Sequence, residues 1–138
     1  MSKTVEFQNP LSWSSPDFSL DAYNLVFLPG GHEKSVRQLI DSPIMHKNLA
    51  AYFPAAKKPS SKCVAAVCHG VMVLSETVGS DGNSVIYQCD TTALPARFEQ
   101  AAFWVTRLFL GDYYKTYGVG SDDVEVSVCS CRGCSNDA

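Results

Sequence analysis

The 138-residue sequence contains few charges and little excess of either sign. Lysine and arginine total 11, aspartate and glutamate total 14, and the formal net charge is -3. A protein that binds nucleic acid needs a basic surface, so we expect no nucleic-acid partner. No apolar run approaches the length that spans a bilayer, so we expect no membrane partner. With 46% hydrophobic and 18% charged residues, the composition indicates one globular domain.

The N-terminus also lacks a basic stretch followed by an apolar one, which is the pattern of a secretory signal. We therefore expect a cytoplasmic protein. Because disulfides are rare in cytosolic proteins, its six cysteines should be reduced thiols. Three of them, Cys129, Cys131 and Cys134, lie close together near the C-terminus. A structural zinc site takes four ligands, and no fourth lies nearby, so we expect no metal and no cofactor.

The sequence is organised around residues 62–74. Residues 63–67 form an apolar run of a length typical of a buried strand. The run ends at Cys68, and Val71 and Leu74 then follow at helical spacing. A strand that turns into a helix through a corner of small residues has the geometry of a nucleophile elbow, where the helix N–H groups favour a thiolate. Cys68 is therefore a candidate nucleophile; the alternative is that it ends a core strand, because free cysteine is often buried.

Strands and helices alternate along the rest of the chain, which predicts an α/β fold. The first strand covers residues 23–28 and is followed by Pro-Gly-Gly, a sequence that allows a tight turn close to a ligand. In the predicted helix at 96–111, apolar residues including Leu108 form a stripe along one face, and Glu99 lies outside that stripe. The other predicted helices are at 33–41 and at 43–53, the latter with Ser42 as N-cap and an end before Pro54. A further strand is predicted at 84–89, and a short strand or edge segment at 122–128.

Two motifs together, Val-Cys-His-Gly at 67–70 and Leu-Pro-Gly-Gly-His at 28–32, closely resemble the ThiJ/PfpI (DJ-one/PfpI) family. This family belongs to the class I glutamine amidotransferase-like superfamily, and residues 91–114 look most like its fungal members. The resemblance implies a three-layer α/β sandwich with a mostly parallel, flavodoxin-like sheet. It is incomplete here, because the family's N-terminal segment is not recognisable. We expect a leader loop at residues 1–22, the α/β domain at 23–118 and a variable, partly disordered tail at 119–138.

The resemblance also implies roles for individual residues. Cys68 corresponds to the nucleophile and His69 to the general acid/base that follows it. Backbone N–H groups of Gly31 and His69 correspond to the donors of an oxyanion hole. The rival interpretation of His69 is a residue that begins a helix for backbone reasons alone.

In the family, a carboxylate from the segment upstream of the Pro-Gly-Gly loop supports the cysteine, and this sequence has no recognisable counterpart. Asp90, which follows the predicted strand at 84–89, is the favoured replacement as a partner for His69. His32 and Glu33, in or beside the glycine loop, are further supporting candidates. Glu76 lies about two turns into its helix, about 12 Å from the elbow, and is a poor candidate.

Several functions are compatible with this site. The favoured hypothesis is glutathione-independent glyoxalase-like chemistry on small reactive carbonyls, converting methylglyoxal to lactate. The alternatives are a cysteine amidase or peptidase, a redox-sensing or chaperone-like module associated with stress response, and an inactive truncated domain. Because a missing segment leaves sheet edges unpaired, we also expect a homodimer or other self-association.

Overall fold

The computed structural model describes residues 4–92, 94–117 and 124–130. Within these ranges no helix is long and apolar enough to cross a lipid bilayer. Short 3₁₀ turns occur at Leu20–Ala22 and Lys34–Val36. The strands and α-helices are, in chain order, α1 (Val5–Gln8), β1 (Leu25–Leu28), α2 (Arg37–Ile40), α3 (Pro43–Ala56), β2 (Cys63–Ala66), α4 (Gly70–Glu76), α5 (Ala96–Leu110) and α6 (Val124–Ser130).

The two strands pair in parallel, with Leu25 opposite Cys63 and Leu28 opposite Ala66. A parallel pair requires a crossover connection, and α3 is the main helix of that connection. This confirms the predicted α/β fold with a parallel sheet, of which the described residues contain two strands. Both strands end at the same edge of the sheet, where the Pro-Gly-Gly loop follows β1 and Cys68 follows β2.

Only one face of this strand pair is covered by the described residues. On β1, Val26 and Leu28 are buried, whereas Leu25 and Phe27 are both 56% exposed. Because side chains alternate along a strand, β2 presents its first residue, Cys63, on the same open face, and Cys63 is exposed. The sequence predicts that helices cover both faces of β2. The described part of the chain covers one.

Helix α3 begins as predicted and ends later than predicted. Ser42 is its N-cap, and the hydroxyl oxygen accepts a hydrogen bond from the Met45 N–H over 3.2 Å. Pro43 occupies the first helical turn, where its missing N–H is not needed. The helix continues through Pro54 to Ala56. Pro54 has no N–H to donate to the preceding turn, and the helix ends two residues later at Ala56.

The core lies between the covered sheet face and helices α2, α3 and α4. Ile40, Leu49, Tyr52 and Val73 are each at most 1% exposed. The Tyr52 hydroxyl donates a hydrogen bond to the Tyr23 carbonyl oxygen over 2.9 Å, which satisfies the polar end of a buried ring. This packing fixes α4, and with it the corner that precedes α4.

Two predicted strands are wrong. Residues 84–89 form turns, apart from an isolated antiparallel bridge between Val78 and Ser84. The Ser84 hydroxyl donates to the Leu74 carbonyl oxygen and accepts from the Ile86 N–H, and such local bonds compete with a strand ladder. The strand predicted at 122–128 is replaced, in its described part, by α6. A short run of alternating valines fits a helix as well as a strand, because positions 124 and 128 also share a helical face.

Two further stretches differ in detail. The predicted helix at 33–41 is divided into the 3₁₀ turn Lys34–Val36 and the short helix α2. The predicted leader loop contains α1 and the 3₁₀ turn Leu20–Ala22, although most of its described residues are turns or irregular. The last eight residues, including Cys131 and Cys134, lie outside the described residues.

Helix α5 has the predicted span, but its buried and exposed faces are the reverse of those predicted. Glu99 and Phe103 are its buried residues, whereas Leu108 is 91% exposed and Phe109 is 88% exposed. The polar residue turns inward because the interior supplies partners for its carboxylate. The apolar stripe of α5 is not covered by any residue that the structure describes.

Candidate functional site

Cys68 occupies the corner between β2 and α4. Its φ is 54°, and among the described residues no other non-glycine residue has a positive φ. The left-handed conformation costs a non-glycine residue about 1–2 kcal/mol, so the surrounding structure must impose it. The side chain is exposed at the end of the strand. The predicted nucleophile elbow is therefore present.

Two glycines allow the elbow to pack closely against the loop after β1. A Cβ atom added to Gly30 would lie 2.3 Å from the Val67 carbonyl oxygen. A Cβ atom added to Gly70 would lie 2.3 Å from the Leu28 carbonyl oxygen. Neither space could hold a side chain, so each backbone reaches its position only because both residues are glycine. This contact holds the elbow in register with the loop.

The predicted oxyanion donors lie on the two sides of this contact. Gly31 follows Gly30 in the loop, and no atom lies within 4 Å of a Cβ added to it. Among the residues that the structure describes, no hydrogen bond uses the N–H group of Gly31 or of His69. The backbone of His69 belongs to the elbow itself. The oxyanion-hole role of these N–H groups stays a prediction.

The thiol of Cys68 contacts the next side chain. Its Sγ lies 3.3 Å from Nδ1 of His69, within hydrogen-bonding distance for sulfur. The side chains of adjacent residues usually diverge, and here the unusual backbone of Cys68 brings them together. His69 is 3% exposed, so its ring is held in the interior while the thiol remains accessible.

Glu99 is the carboxylate that contacts His69. Its Oε1 lies 3.3 Å from His69 Nε2, and its side chain is 2% exposed. The other oxygen, Oε2, accepts a hydrogen bond from the Val124 N–H over 3.4 Å, which fixes the carboxylate from α6. Sγ of Cys68, the imidazole of His69 and the carboxylate of Glu99 therefore form a continuous relay. The sequence instead favours Asp90 as the partner of His69 and predicts that Glu99 lies on the outer face of its helix.

A signal for Glu99 was nevertheless present in the sequence. Residues 91–95 connect the predicted strand at 84–89 to the predicted helix at 96–111, so the sequence places them at the end of a strand, on the same rim as Cys68. Glu99 lies in the first turn of the helix that follows. An acidic residue just beyond a loop at the rim of the site is well placed to enter it. The apolar stripe on α5 outweighed this signal, because an exposed apolar stripe is not expected on a helix.

His32 is the second residue that Glu99 contacts. Its Nε2 lies 3.5 Å from Oε1 of Glu99, and its ring meets the His69 ring edge-on with centroids 4.7 Å apart. Tyr114 packs edge-on against the same ring at 4.8 Å. Burial and the neighbouring His69 lower the pKa of His32, and the carboxylate of Glu99 opposes them less strongly. The lowered pKa favours the neutral form of the His32 imidazole.

The other supporting candidates lie elsewhere. Glu33 is exposed, and its carboxylate accepts hydrogen bonds from the Ser35 hydroxyl and from the Ser35 N–H, which lower the pKa of Glu33. Asp90 is exposed and lines a neighbouring cavity. Glu76 is exposed at the far end of α4 and accepts a hydrogen bond from Ser127. Of the predicted supporting residues, the structure brings His32 to the site.

A cavity of about 480 Å³ opens over the relay. Its walls include Val67, Val71 and Leu94, so they are mainly apolar, and Cys68 and His69 form its polar end. A cavity of this size holds a small molecule. Three metal-binding atoms also meet here: Sγ of Cys68 and one ring nitrogen each of His32 and His69 all lie within 4.8 Å of one another. These three residues could hold a metal ion.

The fold and the site define a class, namely an α/β protein with a cysteine at a nucleophile elbow. A family model described as ThiJ/PfpI family-like matches residues 1–127, and the chain belongs to this family. The match supports the resemblance inferred from the two motifs, and it extends beyond them at both ends.

The curated relatives are fungal, in agreement with the fungal character expected of the sequence. One uncharacterized protein of Schizosaccharomyces pombe is 27% identical over 104 residues, which cover 75% of this chain and 37% of that protein. A second uncharacterized protein of the same yeast is 28% identical over 102 residues, covering 70% and 32%. The chain thus spans about a third of the length of these relatives. No solved structure matches the chain significantly.

Proposed function

We propose that the chain carries a cysteine nucleophile site for small reactive carbonyl compounds. Cys68 is the nucleophile, His69 is the general acid/base, and Glu99 positions His69. The observation that carries the proposal is the relay from Sγ of Cys68 through both nitrogens of His69 to the buried carboxylate of Glu99, at a strained corner that faces a cavity. A nucleophile that lies within hydrogen-bonding distance of a base, which is in turn oriented by a third group, is the arrangement typical of covalent catalysis.

The size and lining of the cavity favour a small substrate with little charge. An apolar wall beside one reactive polar end suits a 2-oxoaldehyde such as methylglyoxal, which has an electrophilic carbonyl and a single methyl group. A glyoxalase-like conversion of methylglyoxal to lactate requires the addition of one water molecule and no oxidant or reductant. The residues of the site could therefore carry out this conversion with water as the only other reactant.

The reaction proceeds in three steps. The Cys68 thiolate adds to the aldehyde carbon, and the oxygen takes a proton to give a hemithioacetal. His69 then removes the proton from that carbon while the adjacent carbonyl oxygen takes a proton, which gives an enediol. A proton is returned to the adjacent carbon as the first hydroxyl loses its own, and the product is the thioester of lactate. Water hydrolyses the thioester and restores the thiol. N–H groups of Gly31 and His69 would stabilise the negative oxygen in the first and last steps.

Glu99 acts on the second nitrogen of His69. When His69 accepts a proton, the ring becomes positive, and a buried carboxylate at 3.3 Å stabilises that charge. Glu99 also fixes which nitrogen carries hydrogen, so that Nδ1 faces the thiol. This is the role of the third member in a catalytic triad.

Lactate formation from methylglyoxal in the absence of glutathione tests the proposal. We expect the wild-type chain to form lactate, Cys68→Ala to lose this activity, and Cys63→Ala to retain it, because Cys63 is also exposed and lies on another part of the surface. Equal activity in Cys68→Ala would refute the nucleophile. No lactate from a wild-type chain whose Cys68 reacts with alkylating agents would refute the substrate class alone.

A further inference from the structure

The structure brings together three side chains with metal-binding atoms that are far apart in sequence. His32 follows β1, whereas Cys68 and His69 follow β2, and one ligand atom from each lies within 4.8 Å of the other two. We propose that these three residues bind one zinc ion and that this binding blocks the nucleophile. The sequence predicts no metal site, because the cluster Cys129, Cys131 and Cys134 has no fourth ligand nearby.

The donor set fits zinc. Zinc binds thiolate sulfur and imidazole nitrogen with tetrahedral geometry, and sites with three protein ligands keep a fourth position for water. Zinc–ligand distances of about 2.0–2.3 Å place neighbouring ligand atoms about 3.5 Å apart. Sγ of Cys68 and Nδ1 of His69 are already at 3.3 Å. A ring nitrogen of His32 lies within 4.8 Å of both atoms, so a small shift of this ring that keeps its contact with Glu99 would supply the third ligand. All three residues line the cavity, which would hold the fourth ligand.

Glu99 supplies the outer contacts that such a site needs. Histidines that bind zinc commonly donate their other ring N–H to a carboxylate, which orients the ring and raises its basicity. Oε1 of Glu99 lies 3.3 Å from Nε2 of His69 and 3.5 Å from Nε2 of His32. One carboxylate therefore orients both rings and leaves their Nδ1 atoms as the metal donors. Its own position is fixed by the Val124 N–H.

Binding has a chemical consequence for Cys68. The metal takes the thiolate, so the thiol proton is released to solvent when the sulfur–zinc bond forms. The sulfur lone pair that would attack a carbonyl is then held by zinc. Zinc is thus a reversible inhibitor of any reaction that uses Cys68. The inhibitory effect rests on the proposed function, whereas the binding does not.

Metal titration tests the binding directly. The protein would carry Cys129→Ser, Cys131→Ser and Cys134→Ser, so that the C-terminal cysteines cannot supply ligands. With reduced thiols, we expect one Zn²⁺ per chain. Co²⁺ used as a spectroscopic substitute should give a sulfur-to-cobalt charge-transfer band and the visible bands of a tetrahedral site.

Matched variants locate the site. Cys68→Ser and His32→Gln should each weaken zinc binding by at least about tenfold, and Glu99→Gln should weaken it by about 10–100-fold. Cys63→Ser and His46→Gln are the controls, because they remove a thiol and an imidazole outside the site, and both should bind as the parent does. Affinity unchanged in Cys68→Ser and His32→Gln would overturn the proposal. So would a parent protein that gives no sulfur-to-cobalt band, a result that does not depend on how the variants fold.

Discussion

Oε1 of Glu99 lies 3.3 Å from Nε2 of His69, and this contact joins α5 to the elbow through two side chains that are almost fully buried. His69 in turn lies against the thiol of Cys68. A buried carboxylate is costly unless it is hydrogen-bonded, and Glu99 has the Val124 N–H and two imidazoles around it. The position of α5 is therefore linked, through Glu99 and His69, to the surroundings of the Cys68 thiol.

The first prediction concerns Glu99→Gln. The amide keeps the shape of the carboxylate and removes the charge that stabilises protonated His69, so lactate formation should fall by about 100-fold in kcat with a smaller change in KM. Steady-state kinetics with methylglyoxal measures this. Glu33→Gln is the control, since Glu33 is exposed and contacts Ser35 instead. A loss of the same size in both variants would show that the effect is general and not due to the relay.

The second prediction concerns the oxyanion donors. Gly31 has a φ of 158°, a conformation in which valine is strained, so Gly31→Val should displace the backbone N–H from the site. It should lower kcat more than it raises KM, because a donor that acts mainly on the developing oxyanion stabilises the transition state and not the bound substrate. The expected loss in kcat is about 100-fold. A variant that binds substrate poorly but turns it over at the normal rate would assign Gly31 to binding alone.

The third prediction concerns stability. Gly30→Ala places a methyl group 2.3 Å from the Val67 carbonyl oxygen, so the free energy of unfolding should fall by about 3 kcal/mol. Gly79→Ala should cost less than about 1 kcal/mol, because the nearest atom to its added Cβ is the Asp81 side-chain oxygen at 3.1 Å, which can move. Urea denaturation followed by circular dichroism measures both. Equal stability of the two variants would contradict the close contact at the elbow.

The fourth prediction concerns self-association, which we propose to occur between two copies of the chain through the open face of the sheet. Leu25 and Phe27 are each 56% exposed on that face, and sheets of parallel strands are normally covered on both faces. Light scattering should show a dimer, and Phe27→Lys should shift it to monomer.

Leu108→Lys provides the matched test, because Leu108 is 91% exposed on the apolar stripe of α5. We expect this variant to remain dimeric. A dimer that persists in Phe27→Lys and dissociates in Leu108→Lys would move the interface from the sheet to α5. A monomeric wild-type chain would reject self-association altogether.

The elbow could be read from the sequence because its signals are local. A short apolar run, a corner of small residues and helical spacing predicted β2, Cys68 and α4, and the N-cap of α3 was recognised from Ser42 and Pro43. These features depend on residues close together in the chain. The glycine at 30 and the glycine at 70 were also recognisable as turn residues, although their mutual contact was not.

The residues that were missed depend on tertiary contacts. Glu99 was placed outward because its helix has an apolar stripe, and the stripe proved to be the exposed face. The pairing of one carboxylate with both His32 and His69 joins three separate segments, which periodicity does not report. The false strand at 84–89 has the same origin: the Ser84 side chain bonds to α4 and diverts the backbone into turns.

Selective alkylation of Cys68 is the measurement that tests the central claim most directly. The wild-type chain would be treated with limiting iodoacetamide at mildly acidic pH, and peptide mapping would give the rate at each cysteine. Only Cys68 combines exposure with an imidazole at 3.3 Å among the described thiols, so it should react first, and Glu99→Gln should slow it. Faster labelling of Cys63 or Cys89, with Cys68 inert, would contradict the nucleophile site.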